Sequence, residues 1–342
     1  MSPEEQRDFT EYSPASYIAR LGVDTKIRDY IQTQPVALLS LMGAPGTGKS
    51  WTLQDLAQRP GDRLPPGSGT ILYQAGQLLG AFKSNHQDLK RELITTANLI
   101  GLDFSLDLVP TLAAIVVAMA QRAQKNGVQN RLFVLIDGLD ELAGQDDFAF
   151  LQEQIRTTFL RISPGFFRVI MARRRPLTNY YLKQMDQVLE LNVFTEDEAA
   201  GQKAKSLPGL DLSELLPPST SYQWDHPFIN AYLWNLAKSG EVLGPDQLRA
   251  CCLELVNRPA ADNQNPTRFP VLTPEQISSY SRWASRLENP WTFENFKAIS
   301  ERRLEPADLE RGIVVRHADS FYKFAPGLDE LLRDIATLER GS

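Results

Sequence analysis

Short apolar segments alternate with helical patterns through the first 191 residues. The strand-like segments are 36–42, 70–74, 131–137, 167–172 and 187–191. Within the third segment Leu132–Ile136 is apolar throughout, which is typical of a strand covered on both faces. Helical patterns intervene at 86–100, 110–126 and 146–161. This alternation predicts an α/β fold, a five-stranded parallel sheet wrapped by helices, with ligands bound at the carboxyl ends of the strands.

The strand pattern fades after Leu191. Residues 195–257 show helical segments broken near Pro208 and Pro217, and a proline- and asparagine-rich stretch follows. The C-terminal part has three helical segments, strand candidates at 312–316 and 321–324, and a last helix, an order typical of a winged helix. We therefore predict an N-terminal arm at 1–16, a sheet domain at 17–194, an all-α helical domain at 195–258, a linker at 259–272 and a winged-helix domain at 273–342.

Composition places the chain among soluble globular proteins, because 42% of its 342 residues are hydrophobic and 23% are charged. A net charge of −6 disfavours nucleic acid and anionic lipid as partners. The most apolar run, Leu112–Ala120, is far shorter than the roughly 20 residues of a membrane span. The adjacent Cys251 and Cys252 suit neither a disulfide framework nor a zinc site and predict core thiols. We expect a cytoplasmic protein without a membrane partner.

Candidate chemistry centres on a glycine-rich loop that follows the first strand. Its pattern is G-x-x-x-x-G-K-[ST], a loop whose backbone N–H groups cradle phosphates. Its residues are Gly43, Ala44, Pro45, Gly46, Thr47, Gly48, Lys49 and Ser50, with Trp51 next in the helix that follows. In such a P-loop NTPase core, Lys49 reaches the β- and γ-phosphates and Ser50 binds Mg²⁺. We therefore predict ATP/ADP and Mg²⁺ as cofactors.

The second motif is acidic and begins at Asp137, where the apolar strand ends. Parallel strands end at one edge of a sheet, so we expect Asp137 to share the Mg²⁺ shell with Ser50. Asp140 and Glu141 follow and are candidates for orienting or polarising the attacking water.

The third feature is the basic turn Arg173–Arg175, which comes directly after another strand. A guanidinium suits phosphate geometry and is always charged. We expect one of the three to sense the γ-phosphate, with Arg173 favoured because it lies nearest the strand end.

Together these segments resemble the STAND class of P-loop NTPases, and within it the NACHT-like proteins. Asp137–Glu141 resembles the D-G-h-D-E form of that family's Walker B motif. Met171–Arg173 stands in place of its sensor T-S-R. Tyr17–Arg20 is similar to the hhGR segment before the loop, and His226–Ile229 looks like the segment whose proline packs near adenine.

The resemblance implies a weakly hydrolysing signalling switch. ADP holds a closed form, and ATP exchange opens it for assembly with itself or with a protein partner. The resemblance also implies nucleotide contacts from Arg20 and Pro227. One departure is that Phe324–Pro326 lacks the histidine that the family's winged helix presents to the diphosphate, for which Arg316 or His317 is a candidate substitute.

Other interpretations share parts of this pattern. An AAA+-type motor or loader has the same loop, acidic strand end and arginine sensor. A DNA-binding regulator would use the winged helix, but its candidate recognition helix at 306–311 carries two acids and one base, which disfavours a phosphate backbone. A small-molecule kinase lacks the D-G-L-D-E motif.

Overall fold

The computed structural model of the chain describes residues 12–32, 37–61, 63–84, 87–104, 111–127, 131–142, 145–161, 165–174, 176–206, 225–261 and 271–341. These residues pack into two compact units. The sheet unit comprises Arg20–Met42 and Lys49–Glu190. The C-terminal unit comprises the chain from Leu191 onward, the described residues up to Ala19, and the loop Gly43–Gly48.

A five-stranded parallel sheet forms the centre of the sheet unit, with the strand order β2-β3-β4-β1-β5. The strands are β1 Leu38–Met42, β2 Gly69–Gln74, β3 Leu132–Asp137, β4 Phe167–Arg173 and β5 Asp186–Glu190. Every residue of β3 is buried, as its unbroken apolar pattern predicts. Because β4 lies between β1 and β3, the carboxyl ends of these three strands are neighbours.

Helices surround this sheet, so the predicted α/β fold class is confirmed. They are α1 Leu21–Gln32, α2 Lys49–Gln58, α3 Ala75–Lys83, α4 Gln87–Leu99, α5 Leu112–Lys125, α6 Gln145–Ile155 and α7 Tyr180–Met185. A 3-10 turn, Leu139–Glu141, follows β3, and a π-helical turn, Arg156–Leu160, continues α6. The sequence pattern did not predict α3 and α7, which are short and directly adjoin strands.

The C-terminal unit contains helices and a small antiparallel sheet with the strand order β6-β8-β7. Its helices are α8 Glu196–Ser206, α9 Pro227–Lys238, α10 Pro245–Ala261, α11 Pro274–Ala284, α12 Phe293–Ser300, α13 Pro306–Glu310 and α14 Leu328–Gly341. Its strands are β6 Trp291–Thr292, β7 Val314–Ala318 and β8 Phe321–Phe324. Helices α11–α14 with these strands form the expected winged helix.

One hydrophobic core joins the winged helix to α9 and α10. Trp291 is its aromatic centre, stacked on Phe296 and packed against Phe324. Cys251 and Cys252 lie fully buried in the same core, where burial raises the pKa of both thiols. Within the described ranges, no helix combines the length and the apolar character that crossing a bilayer requires.

Two glycines with the same φ angle allow a matched test of packing around His226. Gly240 and Gly327 both have φ of +77°, so alanine is strained at either position, by about 1–2 kcal/mol. A methyl group at Gly240 meets nothing within 4 Å, whereas at Gly327 it lies 2.6 Å from the His226 Cβ atom. We expect Gly327→Ala to lower the free energy of unfolding by about 1–3 kcal/mol more than Gly240→Ala in urea titrations. Equal losses would contradict this packing.

Candidate functional site

Two predicted Mg²⁺ ligands meet at the carboxyl edge of the sheet. Ser50 lies in the first turn of α2 and Asp137 ends β3. The Ser50 hydroxyl donates to the Asp137 Oδ1 atom at 3.0 Å, and the Gly138 N–H donates to the same oxygen at 2.9 Å. A hydroxyl and a carboxylate side by side fit Mg²⁺, which takes one or two protein oxygens and completes its shell with water and phosphate.

Lys49, the first residue of α2, is partly buried. Burial lowers its pKa to about 7, and the nearby positive charge of Arg174 adds to this effect. The carboxylates of Asp140 and Asp137 act in the opposite direction but do not offset it. An anion bound beside this ammonium group would raise its pKa again.

Asp140 and Arg174 form a second pair at this edge. Asp140 lies in the 3-10 turn after β3, and its carboxylate accepts the backbone N–H of Arg174. The Arg174 Nε atom lies 3.5 Å from the same carboxylate, and both side chains are largely buried. Glu141 belongs to the same turn, but its side chain is outside the described part of the structure.

Arg173 occupies a different environment from Arg174. Its guanidinium pairs with Asp186 of β5 at 2.6 Å and donates to the Ser40 hydroxyl of β1 at 2.9 Å. Burial raises the pKa of Asp186 although Ser40 and Arg173 act against it. The sensing role that the sequence favours for Arg173 stays a prediction. Arg175 lies outside the described residues.

The loop Gly43–Gly48 is packed within the C-terminal unit. The Thr47 hydroxyl donates to the Ala44 carbonyl at 2.9 Å and closes a tight turn. At the loop apex the backbone of Gly46, with φ of +71°, lies against His226, Phe228 and Leu255. A Cβ atom at Gly46 would approach these side chains to 2.5–2.8 Å, so only glycine fits there.

The remaining predicted contacts are spread over the two units. Arg20 is buried just before α1, and Trp51 is half-buried on α2. Pro227 begins α9, where its carbonyl accepts from the Gln202 amide at 2.8 Å. Arg316 and His317, the candidate substitutes for the missing histidine, are exposed on β7. The nucleotide roles of all five residues stay predictions.

The winged helix alters one sequence argument. Asp308, an acid of the candidate recognition helix, is buried and accepts from the Tyr280 hydroxyl. Arg302 pairs with the same carboxylate at 3.1 Å, and its guanidinium lies 4.8 Å from the centre of the Trp283 ring. Because this negative charge is neutralised inside the fold, it does not repel a phosphate backbone. The prediction against nucleic acid therefore loses part of its basis.

His226 is the residue that sequence reasoning left out of the site. It lies immediately before Pro227, and this position identifies it only as a helix cap. Its ring reaches the Pro45 carbonyl, 181 residues away in sequence, and no local pattern signals that contact.

Comparisons with known proteins identify the fold. No protein-family model matches the chain, and no curated protein matches it. Among solved structures, it is similar to the Walker-type ATPase of Pyrococcus abyssi, with a TM-score of 0.58 and 14% identity over 94% of this chain and 98% of that chain. A weaker similarity links it to the ORC2 protein of Aeropyrum pernix, with a TM-score of 0.42, 13% identity and 98% of both chains covered. A STAND protein with a tetratricopeptide repeat sensor from Pyrococcus horikoshii has a TM-score of 0.36 and 13% identity, over 95% of this chain and 43% of that chain. The first similarity, with the sheet order, shows a P-loop ATPase fold.

The lowered pKa of Lys49 predicts a pH-dependent stability. The folded-state pKa of about 7 lies below the unfolded value of 10.5. Between these values the unfolded state holds about one proton more, so the free energy of unfolding should rise with pH above 7. Lys49→Met removes the titrating group and should remove this rise. Urea titrations of both proteins from pH 7 to about 9.5 test it, and parallel pH profiles would refute the lowered pKa of Lys49.

The buried Arg173–Asp186 pair predicts a large loss of stability when one partner is removed. Arg173→Met leaves the Asp186 carboxylate buried without its cation, which should cost about 3 kcal/mol in thermal or urea unfolding. The double variant with Asp186→Leu should regain most of that loss. Arg59→Met is the matched control, because Arg59 is half-exposed and its partner Asp55 keeps Arg63. A loss no larger than the control's would show that the pair contributes little.

Proposed function

We propose that the chain binds ATP and ADP with Mg²⁺ and hydrolyses ATP slowly, as a nucleotide-controlled switch of the STAND type. The observation that carries this proposal is the Ser50–Asp137 hydrogen bond, which places a hydroxyl and a carboxylate beside the Lys49 ammonium group. A lysine cation beside two hard oxygen ligands is suited to a magnesium-bound polyphosphate. Adenine as the base rests on the resemblance to STAND proteins.

Each residue of the proposed site has a role that follows from its contacts. Lys49 would neutralise the β- and γ-phosphates, and Ser50 with Asp137 would hold Mg²⁺. Asp140, in the turn with Glu141, would orient the attacking water. Arg174 would exchange its contact with Asp140 for the γ-phosphate, so that this arginine distinguishes ATP from ADP.

A switch is favoured by where the loop Gly43–Gly48, the proposed phosphate loop, is packed. Ala44 and Gly46 of the loop contact the core shared by α9, α10 and the winged helix. A loop that changes shape around phosphate must therefore change this core, and by reciprocity the core biases the affinity for nucleotide. We infer that ADP and ATP favour different arrangements of the C-terminal unit, and that the ATP form assembles with a further copy or a protein partner.

An AAA+-type motor or loader is the second candidate. The strand order β2-β3-β4-β1-β5 with a winged helix suits it equally, and Arg174 would serve either protein. The neutralised Asp308 also leaves a winged-helix contact with nucleic acid open to a loader. Turnover and assembly separate the two candidates.

The deciding experiment measures the nucleotide and the mass of the purified protein. We expect tightly held ADP on a monomer, hydrolysis slower than about one turnover per minute, and assembly after exchange for ATP. A nucleotide-free ring with turnover near the enzyme median of about 10 per second would identify a motor.

Two variants serve as controls for that experiment. Lys49→Ala should hold no nucleotide, and full ATP affinity in this variant would refute the loop assignment. Asp137→Ala should keep some bound nucleotide while losing Mg²⁺-dependent hydrolysis. Normal hydrolysis in the second variant would refute the assignment of Asp137.

A further inference from the structure

The imidazole of His226 is buried where the phosphate loop, α9 and α14 meet within the C-terminal unit. Only 1% of the residue is exposed. Its ring carbon Cε1 faces Gly46 of the loop, and its Cβ and Cδ2 atoms face Gly327, immediately before α14. Glycine on both sides means that backbone, rather than side chain, touches the ring.

The two ring nitrogens of His226 have opposite roles. Nε2 lies 2.9 Å from the Pro45 carbonyl oxygen, which can only accept, so this nitrogen carries the proton. Nδ1 accepts the backbone N–H of Ile229 at 3.4 Å and thereby caps α9. The two contacts together assign the neutral Nε2–H form of the ring.

The contact with Pro45 fixes the orientation of one loop peptide. In a trans peptide the C=O and the following N–H point in opposite directions. With the Pro45 oxygen held by His226, the Gly46 N–H points away from the imidazole, to the other face of the loop. His226, Phe228 and Leu255 cover the first face, so the Gly46 N–H lies on the second.

We propose that His226 is a positioning residue for diphosphate recognition. By holding the Pro45 carbonyl, it keeps the Gly46 N–H turned toward the phosphates, and it thereby sets the affinity for ADP and ATP through their phosphates alone. This inference rests on the proposed nucleotide site. His226 itself touches no phosphate in this proposal. Because Gly327, immediately before α14, lies against the same ring, a shift of α14 would also affect the loop.

Two substitutions separate the loop contact from the helix cap. His226→Asn keeps an acceptor near the place of Nδ1 but is too short to reach Pro45. His226→Gln places an amide donor near the place of Nε2 and gives up the cap. We expect the Asn variant to bind ADP about tenfold more weakly, as the loss of one orienting hydrogen bond implies, and the Gln variant to stay within about threefold of the natural protein. Titration calorimetry with ADP and with adenosine measures both, and adenosine affinity should be unchanged.

A role in packing alone would give a different result. Equal losses of ADP affinity in the Asn and Gln variants, or a parallel loss for adenosine, would overturn the positioning role. Hydrogen exchange of the peptide covering residues 43–48 in the nucleotide-free protein gives a readout that does not depend on binding. Exchange should be several-fold faster in the Asn variant than in the Gln variant, and equal rates would also overturn the proposal. A natural protein that binds no ADP would instead refute the nucleotide site while leaving this exchange difference in place.

Discussion

The loop Gly43–Gly48 is held at its apex by a residue that lies 181 positions further along the chain. This hydrogen bond, from His226 to Pro45, is the constraint on which the organisation of the site depends. The loop starts where β1 ends and stops where α2 begins, so Lys49 and Ser50 follow directly from its last glycine. A loop held only by its own short turn, such as the one between Thr47 and Ala44, would be set by local sequence alone. Here the C-terminal unit contributes the surface against which the loop takes its shape.

The charged side chains at the edge of the sheet form two separate groups. Arg173 and Asp186 satisfy each other inside the fold, and Ser40 completes their contacts. Lys49, Arg174, Asp137 and Asp140 form a second group of two cations and two carboxylates that act on one another. In the proposed function, this second group is the one that binds polyphosphate. Adjacent arginines thus differ because one faces the neighbouring strands and the other faces the turn after β3.

The sequence predicted the elements that depend on local pattern. The five sheet strands, the Ser50–Asp137 pair and the winged helix follow from apolar runs, from a loop motif and from the rule that parallel strands end at one edge. It did not separate Arg173 from Arg174, because one residue of register decides which guanidinium enters the sheet. It also did not reveal that His226 contacts the loop, since that contact depends on how distant elements pack. The burial of Asp308 was hidden for the same reason, because a charged residue in a short helix gives no sign of an internal partner.

The paired cysteines of α10 give the C-terminal core an intrinsic reporter. Cys251 and Cys252 are wholly enclosed, and their raised pKa values keep both thiols protonated and unreactive. They lie on the helix that also carries Leu255, one of the side chains packed against Gly46 of the loop Gly43–Gly48. A reagent that alkylates thiols would thus find nothing to modify until this core loosens. The rate of thiol modification would then measure how often the C-terminal core opens, without any added label.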